Sequence, residues 1–121
     1  PEKIPKPAGP FSVAIKAGDF VFLQGFVAVT YEGGRVEPLR GDIKVQTRRV
    51  LELIKTALEG AGSSLDKVVR ATVFLTNWDD YPGFNEVYAQ VFPKDCPVRS
   101  TVQVSKLWGD AAIEIEATAL R

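Results

Sequence analysis

The sequence predicts an α+β fold in which two helices cover one face of a mixed six-stranded sheet. The chain has 121 residues, and its apolar patterns change between strand and helix spacing in the order β-β-β-α-β-α-β-β. Several predicted strands alternate apolar and polar residues, which is typical of strands that have one buried and one different face. Two helices are enough to cover only one face of such a sheet.

The length and charge of the chain limit its organisation and its partners. A chain of 121 residues predicts one domain, spanning residues 1–121. The 15 basic residues balance the 15 acidic ones, and no basic patch is visible, so we expect neither nucleic acid nor membrane as a partner. No apolar run reaches the length of a membrane span, and no secretory signal pattern opens the sequence. We expect a cytoplasmic protein.

The residue types that are absent restrict the chemistry. The sequence has no histidine and one cysteine, which excludes a Ser-His or Cys-His nucleophile and an intramolecular disulfide. A zinc site has almost no ligands to use, so we expect no metal site. Catalysis must then use arginine, lysine, carboxylates, tyrosine, asparagine, backbone groups or water. The secondary amine of Pro1 is a possible nucleophile, but nothing else in the sequence supports a site there.

The first half of the chain predicts three strands. Residues 11–16 alternate, residues 20–27 form a nearly continuous apolar run whose two faces we expect to be covered, and residues 35–37 form a short third strand. Gln24 is the polar exception in the second strand, so its amide is either hydrogen-bonded in the core or faces a ligand. The neighbouring Gly25 indicates a bulge or a close backbone approach.

Two helices are predicted around a further strand at residues 68–76. The first helix begins after Asp42 as N-cap, ends at the glycines of residues 60–62, and has an apolar stripe. The charged residues off this stripe, Arg49 among them, are expected to face solvent. Pro82 suits the first turn of the second helix. The stripe of the second helix that we expect to be buried consists of Tyr81, Phe84, Tyr88 and Val91.

The last two predicted strands hold the charged residues of greatest interest. Residues 97–105 place Arg99, Thr101 and Gln103 on one face, and residues 112–119 place Glu114 and Glu116 on one face. The short connection between them predicts antiparallel neighbours, whose polar faces would merge. The arginine would then be a fixed fork for a carboxylate, with a possible general base nearby. The alternative is an edge arginine that lies in solvent.

The sheet face without helices is expected to be partly polar. Its predicted polar residues are Arg70, Thr72, Arg99, Thr101, Gln103, Glu114 and Glu116. A small sheet with one uncovered face usually contacts another subunit, so we expect a symmetric homo-oligomer with ligand sites where subunits meet.

Seven short motifs occur in order along nearly the whole chain. They are GPFSVAI (residues 9–15), GDIKVQTR (41–48), AGSSLDKVV (61–69), TVFLT (72–76), FNEVY (84–88), PVRSTVQV (97–104) and IEIEA (113–117). Each motif is weakly specific alone, but together, at this spacing, they are highly specific. With these motifs the sequence resembles the RidA family, which is also called the YjgF or reactive-intermediate-deaminase family.

The resemblance implies a fold, an assembly and an activity. The fold is chorismate-mutase-like, of the bacillus type, and the assembly is a homotrimer with a central barrel and three clefts between subunits. The activity is hydrolysis of reactive 2-imino and enamine acids to 2-oxo acids and ammonia, without cofactor or metal. By position, Arg99 matches the arginine that holds the substrate carboxylate, and Glu114 matches the glutamate that activates water. Thr101 matches a residue whose backbone groups meet the ligand, and Asn85 matches a polar residue that lines the cleft.

Three positions depart from the family pattern. Phe11 stands where tyrosine is usual, Gln24 where serine is usual, and Trp108 with Gly109 where Pro-Lys is common. These three side chains are expected to contact the substrate and favour a larger or aromatic one. Two alternatives therefore stay open: a scaffold redirected to another carboxylate, as a tautomerase or hydrolase, and a non-catalytic trimer that binds small acids. The zero net charge and the lack of histidine disfavour RNA cleavage, a label that some family members carry.

Overall fold

The structure is a computed structural model that describes residues 3–121, so Pro1 lies outside the described residues. These residues form eight strands and two α-helices. The strands are β1 (Ala14–Ala17), β2 (Phe20–Leu23), β3 (Phe26–Val27), β4 (Val29–Thr30), β5 (Glu37–Pro38), β6 (Val68–Leu75), β7 (Val98–Gln103) and β8 (Ile113–Leu120). The helices are α1 (Ile43–Gly60) and α2 (Tyr81–Val91).

Six of the strands form one mixed sheet. Its order is β1-β2-β8-β6-β7, and β3 pairs with β8 next to β2. The β6–β7 pair is parallel and the other pairs are antiparallel. The parallel pair follows from α2, because a helix between two strands returns the chain to the end of the sheet where the first strand began. The predicted α+β class, with a mixed sheet and two helices, is confirmed.

Two of the predicted strands differ in the structure. The first strand begins at Ala14 rather than at residue 11, because the Phe11 N–H donates to the Gly9 carbonyl at 2.9 Å in a tight turn. The third predicted strand, residues 35–37, is not part of the main sheet. The structure has β5 at Glu37–Pro38 instead, where it forms a separate two-stranded sheet with β4.

The second predicted strand is interrupted at Gly25. Phe22 lies opposite Thr118 and Phe26 lies opposite Ile115, so four steps along β2 and β3 match three steps along β8. One extra residue on one strand is a β-bulge, which the glycine indicated. The bulge lets both strands pair with β8 and gives the backbone an irregular stretch in the middle of the sheet.

The core lies between the helices and one face of the sheet. The buried apolar residues of the main sheet are Val21, Leu23, Phe26, Val68, Ala71, Val73, Leu75, Ile113, Ile115, Ala117 and Ala119. Helix α1 begins as predicted, because Asp42 Oδ1 accepts a hydrogen bond from the Val45 N–H at 3.0 Å. The solvent-facing position predicted for Arg49 is wrong. Its side chain is 13% exposed and its Nε donates to the Val29 carbonyl at 2.7 Å.

The opposite face of the sheet is covered by neither helix, and we call it the open face. The prediction that both faces of the second strand are covered is wrong in this chain, because Phe20 and Phe22 are 40% and 46% exposed there. The exposed apolar side chains of the open face are Ile15, Phe20, Phe22, Val98, Val102 and Leu120. Ile15 lies opposite Phe22 and Phe20 lies opposite Leu120, so these four side chains form an exposed apolar group at one end of the open face, and such a group favours association with another subunit. Within residues 3–121, neither helix combines the length and the apolar character needed to cross a membrane.

Candidate active site

Arg99 lies on the edge strand β7, on the sheet face that α2 covers. The parallel register places it beside Ala71, a buried residue of β6, so both side chains point to the same side of the sheet. The prediction that Arg99, Thr101 and Gln103 lie on the open face is therefore wrong. The cause is the strand order: β6 lies between β7 and β8, so these two strands are not neighbours.

Helix α2 holds the guanidinium of Arg99 in a fixed position. Nη1 donates to Asn85 Oδ1 and Nη2 donates to the Tyr81 hydroxyl oxygen, both at 2.8 Å. The guanidinium carbon lies 4.9 Å from the ring centre of Phe84 and 4.8 Å from that of Tyr88. These distances are typical of cation–π contacts. Arg99 is therefore not a free arginine in solvent but a half-buried, oriented cation of the kind that binds carboxylates.

The spacing of these partners on α2 explains how the arginine is held. Tyr81, Asn85 and Tyr88 follow one another at steps of four and three residues, so they share one face of the helix. The family resemblance predicts Asn85 as a site residue, whereas the helical pattern predicts Tyr81 only as part of the buried stripe. The signal for Tyr81 was its position one turn before Asn85, because residues four apart on a helix contact the same neighbour.

Tyr88 contributes its ring and not its hydroxyl. The hydroxyl oxygen is buried and has no hydrogen-bond partner within residues 3–121. Burial raises the pKa of Tyr88 to about 12, and the nearby Arg99 guanidinium opposes this shift only in part. The phenol therefore stays neutral at physiological pH.

Glu114 lies on the open face, in the central strand β8. Its register partners are Val27 and Phe74. The carboxylate packs against Gly25 so closely that a Cβ atom at position 25 would collide with it. Burial raises the pKa of the Glu114 carboxyl, and the Glu116 carboxylate raises it further. A carboxylate with a raised pKa accepts a proton more readily near neutral pH, which suits a general base.

The other predicted site residues divide between these two regions. Thr101 is half-buried and shares the strand face of Arg99. Gln24 is half-buried at the bulge, and its backbone N–H donates to the Val13 carbonyl at 2.8 Å. Phe11 and Trp108 are 60% and 58% exposed.

The structure thus forms two groups on opposite sheet faces. The arginine group consists of Arg99, Asn85, Thr101 and Tyr81. The glutamate group consists of Glu114, Gly25 and Gln24. The expectation that Arg99 and a glutamate share one side of the sheet is wrong within a single chain. Between residues 3 and 121, no three Cys, Asp or Glu side chains are arranged to hold a metal ion.

These features define a small α+β protein with an oriented cation and a half-buried carboxylate on its sheet. The sequence model described as Endoribonuclease L-PSP matches residues 1–121. A RutC family protein of Pyrococcus abyssi is 48% identical over 120 residues, which cover 99% of this chain and 93% of the relative. The chain belongs to the RidA family, as its motifs indicated.

Two further relatives carry more specific names. The 3-aminoacrylate deaminase RutC of Acinetobacter baylyi is 42% identical over 119 residues, covering 98% of this chain and 93% of that protein. The crystal structure of RidA from a Psychrobacter species matches with a TM-score of 0.87 at 34% identity, covering 97% of this chain and 93% of that one. The α+β fold described above therefore matches a solved RidA structure.

Proposed function

We propose that this protein is a deaminase that hydrolyses reactive 2-imino and enamine acids to 2-oxo acids and ammonia. The observation that carries the proposal is the oriented guanidinium of Arg99, because a 2-imino acid presents a carboxylate next to its reacting carbon. The 42% identity to a 3-aminoacrylate deaminase over nearly the whole chain supports a deaminase role.

The reaction adds water across the C=N bond. An enamine first gains a proton on carbon and loses one from nitrogen, which gives the imine. The oxygen of a water molecule then bonds to the imine carbon as the C=N π bond breaks, and Glu114 accepts a proton from that water and passes it to the nitrogen, which gives the carbinolamine. Glu114 next accepts the hydroxyl proton of the carbinolamine as the C=O bond forms. The C–N bond breaks, the nitrogen takes that proton from Glu114 and leaves as ammonia, and the 2-oxo acid remains, so the overall reaction consumes only water.

The proposed site lies between two copies of the chain. In one chain, Arg99 and Glu114 lie on opposite sheet faces, so one small substrate cannot contact both. We place the substrate where the arginine group of one subunit meets the glutamate group of the next, in a homotrimer with a chorismate-mutase-like barrel. The exposed apolar side chains of the open face support this assembly.

The second candidate function is that of an enzyme redirected to a carboxylate substrate with a larger or aromatic side chain. Phe11 and Trp108 are exposed aromatic residues, and Gln24 offers both a donor and an acceptor at the bulge. We expect such residues to favour substrates with more apolar surface. A comparison of kcat/KM for imines derived from alanine and from phenylalanine separates the two candidates.

The direct test couples the protein to a threonine dehydratase that acts on threonine. The wild type is expected to speed the release of 2-oxobutanoate from the transient imine. Glu114→Ala should abolish this acceleration and keep 2-oxobutanoate binding, whereas Arg99→Ala should lose both. Binding without turnover by the wild type would favour the acid-binding alternative. A well-folded wild type that neither binds nor accelerates contradicts the deaminase proposal.

A further inference from the structure

We infer that Tyr81 is a substrate-binding residue whose hydroxyl donates a second hydrogen bond to the carboxylate held by Arg99. The inference rests on the proposed function, because it adds a ligand to the same carboxylate. It follows from three features of the arginine group: the direction of the Tyr81–Arg99 hydrogen bond, the support of the tyrosine ring, and the neutral partners of the guanidinium.

The direction of the hydrogen bond leaves the phenol proton unused. Arg99 Nη2 can only donate hydrogen bonds, so the Tyr81 hydroxyl oxygen, which lies 2.8 Å away, is the acceptor. A tyrosine hydroxyl can accept and donate at the same time. Across residues 3–121, the bond that it accepts from Arg99 is the one hydrogen bond of this hydroxyl. Its proton is therefore available to an acceptor that arrives beside the guanidinium.

The ring of Tyr81 is held in place by the strand that carries Arg99. The Trp78 ring stacks on the Tyr81 ring, with 4.8 Å between centres and an angle of 17°. The Trp78 backbone N–H donates to Gln103 Oε1 at 2.7 Å. Gln103 and Arg99 share one face of β7, so one strand fixes both the hydroxyl end of Tyr81 and the stacked ring behind it. A group fixed in this way loses little conformational entropy when it binds a ligand.

The partners of Arg99 leave its charge uncompensated. Both terminal nitrogens donate to neutral oxygens, those of Asn85 and Tyr81, and no ion pair joins Arg99 to an acidic side chain within residues 3–121. A half-buried cation without an anionic partner favours binding of an anion. A carboxylate that approaches the Nη2 side of the guanidinium comes within reach of the Tyr81 hydroxyl as well.

The test compares tyrosines with and without their hydroxyls. Tyr81→Phe keeps the ring and its stacking on Trp78 and removes only the proposed donor. Tyr31→Phe is the matched control, because Tyr31 lines a separate cavity with Lys3, Leu39 and other residues. In calorimetric titration with 2-oxobutanoate, Tyr81→Phe is expected to raise Kd about tenfold or more, since the lost bond is to a charged group. Tyr31→Phe should leave Kd unchanged.

A crystal structure of the wild type with 2-oxobutanoate shows whether Tyr81 contacts the carboxylate or only positions Arg99. We expect a carboxylate oxygen about 2.7 Å from the Tyr81 hydroxyl oxygen. Unchanged affinity of Tyr81→Phe, with binding lost in Arg99→Ala, overturns the inference and leaves the proposed function standing. A bound carboxylate that touches Arg99 and not Tyr81 also overturns it. Wild-type protein that neither binds 2-oxobutanoate nor releases it from the imine contradicts both proposals at once.

Discussion

Arg99 and Glu114 point to opposite faces of one sheet. Arg99 pairs in register with the buried Ala71, whereas Glu114 pairs with Phe74 on the other face of β6. The hydrogen-bonded backbone of the sheet separates its two faces, so one small acid cannot contact side chains on both. Any activity that needs both residues therefore depends on how copies of the chain associate, and assembly and catalysis should be lost together.

Phe22→Asp tests this dependence. Phe22 is an apolar residue of the open face, and a carboxylate in its place would be buried without a partner if subunits meet there. We expect monomers in sedimentation velocity, a native circular dichroism spectrum and no deaminase activity. Val45→Asp is the control, because Val45 is similarly exposed, at 42%, but lies in α1. An assembled, fully active Phe22→Asp protein would show that subunits do not meet on the open face.

Gly25→Ala tests the contact between the bulge and Glu114. The added methyl group would collide with the Glu114 carboxylate and displace it. We expect kcat to fall at least about tenfold, because a misplaced base loses much of its contribution, while binding of 2-oxo acids at Arg99 persists. Gly60→Ala is the control, since apart from its chain neighbours and the backbone of its own helix, the added methyl group meets no atom of residues 3–121 within 4 Å. Equal kcat for Gly25→Ala and the wild type would exclude Glu114 as the base.

Glu116→Gln tests the electrostatic influence on Glu114. The pKa of Glu114 is raised first by burial and then by Glu116. A base must be ionised, so kcat/KM should increase as pH rises through this raised pKa. Removing the Glu116 charge lowers the pKa of Glu114, and the acid limb of the pH–rate profile should move to lower pH. Burial remains, so the limb should stay above the range of an ordinary glutamate. A limb that does not move argues against Glu114 as the titrating base.

Tyr88→Phe tests the buried hydroxyl that lacks a partner. An unsatisfied buried hydroxyl costs free energy, so its removal should raise the free energy of unfolding by about 1 kcal/mol. Urea denaturation of the wild type and the variant measures this change. The Tyr81 hydroxyl is hydrogen-bonded to Arg99, so Tyr81→Phe should give no comparable gain. A less stable Tyr88→Phe protein would mean that the hydroxyl is satisfied in the assembled protein.

Local features of the fold could be predicted from the sequence. Three such features depend only on neighbouring residues and on backbone geometry, and the structure has all of them: the Asp42 cap, the helix end at Gly60 and the bulge at Gly25. Asn85 could be placed near Arg99 only through the family resemblance. Tyr81 was missed as a site residue because an amphipathic pattern shows that a ring faces inward but not that its hydroxyl reaches a functional group.

The order of the strands could not be predicted from the connection between β7 and β8. A short connection permits neighbouring strands, but it does not show whether a third strand pairs between them. The strand-helix-strand unit of β6, α2 and β7 indicates instead that β7 pairs with β6, because such units place their two strands in parallel. That pairing sets Arg99 beside Ala71 and so decides on which face the arginine lies.

The bulge at Gly25 changes which residues of its strand point inward. Before it the odd-numbered Val21 and Leu23 are buried, and after it the even-numbered Phe26 is buried. Deleting one residue there would turn Phe26 outward and send a neighbour into the core. Substituting Gln24 leaves every other position in place. This segment can therefore vary in composition but not by a single residue in length, so we expect related chains to differ here by point substitution rather than by insertion or deletion of one residue.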